Sequence, residues 1–151
     1  RADALQQETE LQVTANTGFV VHADRDQLAV ALQALVRNAL EALGSGGTVR
    51  LAAQRVLHVG RVRRLELSVE DSGPGIEPAV RSHLFDPFYS GREAGRGLGF
   101  GLSKAWRIVQ EHGGTLRVEA VQPTGARFVL ELPVEPRDAS VGRGRTERGT
   151  T

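Results

Sequence analysis

The sequence contains no cysteine and no methionine, and of its 19 basic residues only Lys104 is a lysine. It has one tryptophan, one tyrosine and no marked excess of either charge, with 19 cations against 18 acids. No apolar run approaches the ~18 residues that a membrane-spanning helix needs. Each absence excludes something. Without thiols there are no disulfides and no thiolate metal sites, although the compartment stays open. A chain without methionine cannot begin at its own initiator, so it is expected to be a piece of a longer protein. The lone lysine follows Ser103 rather than a glycine, which removes the Gly-Lys-Ser/Thr phosphate loop. The balanced charge gives no case for a nucleic-acid partner. The N-terminal stretch given does not read as a signal peptide, and no internal repeat is expected.

What is present suits one globular domain with a core of its own: 151 residues, 40% hydrophobic and 25% charged. Residues 11–15 and 19–22 read as short strands around the turn residues Asn16 and Gly18. Asp24 is placed as a helix N-cap, with Gln27 completing a capping-box pattern. Leu28, Leu32, Leu35, Val36, Ala39 and Leu43 then form one stripe at helical spacing, ending at Gly44. Alternation at Val49, Leu51 and Ala53, and again at Leu65, Leu67 and Val69, predicts a hairpin of two half-buried strands. A short helix is expected over Pro78–Leu84. A glycine run over 89–101 feeds a helix with Leu102, Ala105, Ile108, Val109 and His112 on one side, and Gly113 and Gly114 close it. Two further alternating strands flank a turn at Gln122–Gly125. The order predicts an α+β fold, a two-layer sandwich with helices on one face of a mixed, mostly antiparallel sheet. Residues 1–10 read as a linker or the end of a preceding helical domain, 11–134 as the folded domain, and 135–151 as a disordered tail.

Three features carry chemistry. Asn38 is an unusual helix-interior residue, set among Ala31, Ala34 and Ala42. Its amide oxygen is a hard donor suited to Mg²⁺, and the alternative is an exposed asparagine at a helix boundary. Asp71 follows a buried-looking strand and needs donors. The exocyclic amine of adenine is one, whereas guanine presents a carbonyl at that position. Gly73 and Gly75 would let a flat ring approach the backbone; equally, Asp71–Gly75 is good turn chemistry. The glycine run ahead of a helix offers free N–H groups and a positive dipole end to phosphates. Such a segment is expected to be mobile until a ligand orders it, and its alternative is a plain surface loop.

Taken in order, Val36-Arg37-Asn38-Ala39-Leu40-Glu41-Ala42, Asp71-Ser72-Gly73-Pro74-Gly75-Ile76, Phe85-Asp86-Pro87-Phe88-Tyr89-Ser90 and Gly97 through Ser103 resemble a known family. So does Ile108 through Gly114 after them. The family is the catalytic and ATP-binding domain of two-component sensor histidine kinases, part of the wider Bergerat-fold ATPases. The resemblance covers about residues 8–133. It implies that Asn38 coordinates the Mg²⁺ bridging the ATP phosphates and that Asp71 accepts from the adenine amine. It further implies that Gly73 and Gly75 shape the base pocket and that Gly97, Gly99, Gly101 and Leu102 belong to the lid around the phosphates. Gly125 would match the glycine between the last two strands, and Phe85 and Phe88 aromatics beneath the lid.

The chain also departs from the family pattern. Ala34 stands where a second asparagine is frequent, Glu41 where many relatives have lysine, and Leu98 where a small hydroxyl residue is common. Lys104 stands where an apolar residue is usual, and it and the loop residues Arg92 and Arg96 are either phosphate partners or solvated charges. None of His22, His58, His83 or His112 lies in the setting of a phosphoacceptor histidine. The resemblance therefore implies ATP and Mg²⁺ as cofactors and an upstream dimerising domain that carries the nucleophile. It also implies a downstream response regulator, and a monomeric piece of a homodimeric protein. It implies a cytoplasmic domain and leaves membrane anchoring of the full protein open. Two other readings stay open here: a stand-alone anti-sigma-type serine kinase of the same fold, and a degenerate ATP-binding module without kinase activity.

Overall fold

Among the described residues, five strands form one sheet in the order β1-β2-β3-β5-β4, comprising β1 (Glu10–Ala15), β2 (Thr48–Leu57), β3 (Arg63–Asp71), β4 (Thr115–Ala120) and β5 (Ala126–Pro133). The described residues also include three helices: α1 (Arg25–Leu43), the four-residue α2 (Pro78–Arg81) and α3 (Gly101–Glu111). This is a computed structural model that describes residues 9–15, 21, 23–57, 63–87 and 101–134. The expected linker, apart from its last residues, the whole of the expected tail, and the strand at 19–22, apart from Val21, lie outside the described residues. So does most of the glycine run. No described helix is long and apolar enough to cross a membrane.

The sheet is mixed, as expected. β1 runs parallel to β2, while β2–β3, β3–β5 and β4–β5 are antiparallel. A parallel pair needs a crossover, and α1 lies in the connection between β1 and β2. The alternating residues of the hairpin face inward: Val49 and Val69 are buried, and with Phe128, Leu130 and Leu116 they meet Leu35 and Ala39 of α1 and Ile108 and Val109 of α3 in one core. Phe85 reaches that core from the turn after α2 and packs edge-on against Phe128, centroids 6.3 Å apart. Phe88 lies outside the described residues.

Two expectations about helix ends are corrected. The helix expected over Pro78–Leu84 is only Pro78–Arg81, after which the chain turns. Its single turn has no side-chain cap and buries no residue, so nothing propagates it. The Asp24 N-cap is as expected: its Oδ1 accepts from the Asp26 and Gln27 backbone N–H groups at 3.0 and 3.1 Å. The reciprocal half of the capping box is replaced. The Asp24 N–H donates to Nε2 of His112 at 3.0 Å, and His112 Nδ1 donates in turn to the Ile108 carbonyl at 2.7 Å. The neutral imidazole thus ties the start of α1 to the end of α3, using both ring nitrogens. Replacing His112 with alanine removes this link at the helix ends and is expected to cost roughly 1–2 kcal/mol. Urea denaturation would show it as a lower midpoint with an unchanged slope.

The other face of the sheet carries no described helix and is laced with charge. Arg127 donates to Glu70 at 2.8 and 3.0 Å, Arg117 to Glu131 at 2.8 Å and to Glu119 at 2.9 Å, and Arg64 to Glu131 at 3.3 Å. Val129 is buried within this lattice, between its register neighbours Ser68 and Arg117. Burial alone would raise the Glu131 carboxyl, but hydrogen bonds and charge from Arg117 and Arg64 outweigh it and hold it below its ordinary value. A depressed carboxylate contributes stability that is full above its unfolded value and is lost as pH falls through the folded one. Thermal melts from about pH 5 downward should therefore show a steeper fall for the wild type than for Glu131→Gln. Equal slopes would remove Glu131 from the acid dependence.

Candidate functional site

The site forms where the central strand β3 ends. Asp71 shares the inward face of Leu67 and Val69, and its register partners are Val49 on one side and Ala126 on the other, both buried. A carboxylate with 2% exposure therefore sits in an apolar wall. An ionised group there must be hydrogen-bonded, since an uncompensated one costs several kcal/mol. One donor is local: the Gly73 N–H reaches Asp71 Oδ1 at 2.9 Å.

Three glycines pack around Asp71 and the loop that follows it, where an added side chain would press on neighbouring atoms. A Cβ on Gly73 would lie 2.9 Å from Asp71 Oδ1 and 3.4 Å from the Ala42 carbonyl. Gly75, at φ +83°, would place one 3.3 Å from the Gly125 carbonyl. Gly125 is tightest: at φ +130°, a Cβ there would overlap the carbonyl oxygen of Asp71 itself. Backbone thus packs against backbone around Asp71, leaving surfaces that a planar ring can approach. On the far side, Arg81 Nη2 donates to the Ile76 carbonyl at 3.3 Å and holds the chain that leaves Gly75.

The helices set the other wall. His112 against Asp24, and Gly101 against Ala34 (3.8 Å from a Cβ built on the glycine), make α1 and α3 antiparallel neighbours. α1 therefore continues for more than two turns beyond the start of α3. Asn38 lies on that overhang, half-buried, one turn after Ala34 and one turn before Ala42. Since Ala34 faces Gly101 and the Ala42 carbonyl faces Gly73, Asn38 stands between the beginning of α3 and the loop after β3. Leu102 is half-buried against the core.

Of the residues picked out in the sequence, Asn38, Asp71, Gly73, Gly75, Gly101 and Gly125 come together at this end of the sandwich. Gly97, Gly99, Arg92 and Arg96 lie outside the described residues. The roles of Arg81 and of the His112–Asp24 link were missed. The histidine's partner is 88 residues away, and no local pattern announces it.

The described residues thus form a two-layer α+β domain with a buried carboxylate, close-packed glycines and an overhanging helix gathered at one end. A family model described as histidine kinase-, DNA gyrase B- and HSP90-like ATPase matches residues 23–136, and the chain belongs to that family. The sensory histidine kinase/phosphatase NtrB of Rhodobacter capsulatus is 42% identical over 123 residues, 76% of this chain and 34% of the relative. The sensor histidine kinase ZraS of Salmonella typhimurium is 35% identical over 136 residues, 89% of this chain and 28% of the relative. The chain thus spans about a third or less of these curated relatives. Among solved structures, the catalytic domain of histidine kinase ThkA superposes with a TM-score of 0.76 at 28% identity, covering 89% of this chain and 86% of that one. The mycobacterial sensor histidine kinase MprB gives 0.72 at 30% identity, covering 88% and 87%. The fold is that of histidine kinase catalytic domains.

Proposed function

We propose that the chain binds Mg-ATP between the Asp71 loop and the overhang of α1, and presents the γ-phosphoryl group to a histidine on a separate helical domain. The observation that carries this reading is the Asp71 carboxylate, 2% exposed at the end of the central strand. In this reading the carboxylate accepts from a ligand amine, and adenine offers one where guanine offers a carbonyl. Gly73, Gly75 and Gly125 let the ring lie close to the backbone. Gly101 and Leu102 begin α3, whose N–H groups and dipole favour phosphate, and Gly97 and Gly99, which precede them in the sequence, are assigned to the same phosphate contacts by the family resemblance alone.

The donor set suits a cation carried by phosphate. Among the described residues no group of three His, Cys, Asp or Glu could hold a metal by itself. Mg²⁺ keeps most of its water and takes few protein ligands when phosphates supply the rest, and the Asn38 amide oxygen fits that role. When bound, the ion neutralises charge on the phosphates. The remaining work of these residues is to hold the ATP, orient it and keep the γ-phosphorus open to in-line attack, so catalysis is positioning plus charge neutralisation. The attacking nitrogen comes from another domain in this reading. His112 has both ring nitrogens engaged, and His83 is paired with Asp86 at 2.9 Å. The names of the relatives, sensor histidine kinases, support this over a serine kinase or a degenerate module. Such a domain would work in the cytoplasm, with a dimerising domain and a response regulator as partners.

The test is a thermal-shift titration of wild type and Asn38→Ala with ADP and ATP, with and without Mg²⁺. The wild type should be stabilised by either nucleotide, and more so with Mg²⁺. Asn38→Ala should keep the metal-free part and lose most of the increment. An increment undiminished in Asn38→Ala would remove Asn38 from the metal site. No stabilisation of the wild type would overturn the reading.

A further inference from the structure

The geometry points to Lys104 as a phosphate-binding residue of the nucleotide site, reaching from the first turn of α3 to the polyphosphate; this rests on the Mg-ATP reading above. Lys104 follows Gly101 by three residues, so the two share a flank of the helix, and Gly101 is the position set against Ala34 of α1. Side chains on a helix lean toward its N-terminus. A lysine stem is about as long as one helical turn, ~5.4 Å. The exposed Lys104 ammonium can therefore reach past the end of α3, over the stretch of α1 that carries Asn38.

Its surroundings make a bare surface role costly. A cation in the first turn faces the positive end of the helix dipole. No acid lies in that turn to offset it, and among the described residues Lys104 has neither an ion pair nor a hydrogen bond. The arginines of the outer sheet face contrast with this, since Arg50, Arg64, Arg117 and Arg127 each meet a glutamate. A polyanion at the start of α3 would reverse both penalties, pairing the lysine and complementing the dipole. Residue choice points the same way. The chain uses arginine at 18 of its 19 basic positions and lysine at this one. A compact ammonium on a flexible stem can follow a phosphate oxygen where a planar guanidinium would need a fixed bidentate geometry. The ligand is indicated independently by the buried Asp71 carboxylate and the glycines packed around it.

Titration calorimetry of the whole 151-residue chain with adenosine, ADP and ATP, in wild type, Lys104→Ala and Lys104→Arg, tests this. Lys104→Ala should weaken ATP and ADP about tenfold or more, the scale of one charge-assisted hydrogen bond. Adenosine should be unaffected, which also reports an intact fold, and Lys104→Arg, which keeps the charge but not the compact ammonium, should restore only part of the loss. Unchanged ATP and ADP affinities in Lys104→Ala would overturn the assignment. So would an equal loss for adenosine, because that locates the damage in the base pocket. A wild type that binds none of the three would overturn the Mg-ATP reading and the lysine with it.

Discussion

Gly125→Ala is expected to unfold the nucleotide end of the domain and lower the melting temperature by on the order of 10 °C or more. Two penalties add. The position has φ +130°, outside the region that L residues adopt readily, which costs about 1–3 kcal/mol. The new methyl also overlaps the Asp71 carbonyl oxygen, a backbone atom of the central strand, and forcing a packed core apart costs roughly 1–3 kcal/mol more. The restriction of the unfolded chain by alanine returns only about 0.4–1 kcal/mol, so the penalties win. Gly46→Ala is the matched control. Gly46 also has positive φ (+72°), but nothing lies within 4 Å of a Cβ there, so only the backbone penalty applies. Calorimetric melts of both variants should separate them clearly. If Gly125→Ala melted no lower than Gly46→Ala, the close packing of the β4–β5 turn on Asp71 would be wrong.

Asp71→Asn should do the reverse, sparing the fold and removing the ligand. Asparagine keeps an oxygen for the Gly73 N–H and is cheaper than a carboxylate to bury between Val49 and Ala126, so stability should stay within about 1 kcal/mol of wild type. The other carboxylate oxygen becomes an NH₂ donor. A donor facing the adenine amine loses a charge-assisted hydrogen bond and adds a repulsion, together roughly a hundredfold in affinity. The loss should be visible with ADP in the absence of metal, which separates it from the Asn38→Ala effect. Wild-type ADP affinity in Asp71→Asn would show that the adenine amine is read elsewhere.

The fold was legible wherever the burial pattern was regular. Alternation along β2, β3, β4 and β5 and the stripe of α1 reported directly which side faces the core, because half-buried strands and helices impose those periods. The same logic failed at α2, where a proline start suggested a longer helix than a turn with no buried residue can sustain. The parallel pairing of β1 with β2 had no local signature, since register across a crossover is decided by tertiary packing. At the site, Asp71 and its glycines stood out because an acid after an apolar strand and a cluster of glycines are locally odd. What could not be read was why each glycine is needed. Gly125 answers to a carbonyl 54 positions away, and Asp24 to a histidine on another helix. Asn38 was noticed for its poor helix propensity, but its place between Gly101 and Gly73 emerges only when α1 and α3 pack antiparallel.

The most direct measurement is calorimetric titration of the wild-type chain with ATP and with GTP, each with and without Mg²⁺. ATP should bind, more tightly with Mg²⁺, and GTP should bind at least tenfold more weakly under both conditions, because a buried acceptor at Asp71 favours an amine and repels a carbonyl. Equal affinity for the two nucleotides, or heat from neither, would contradict the account.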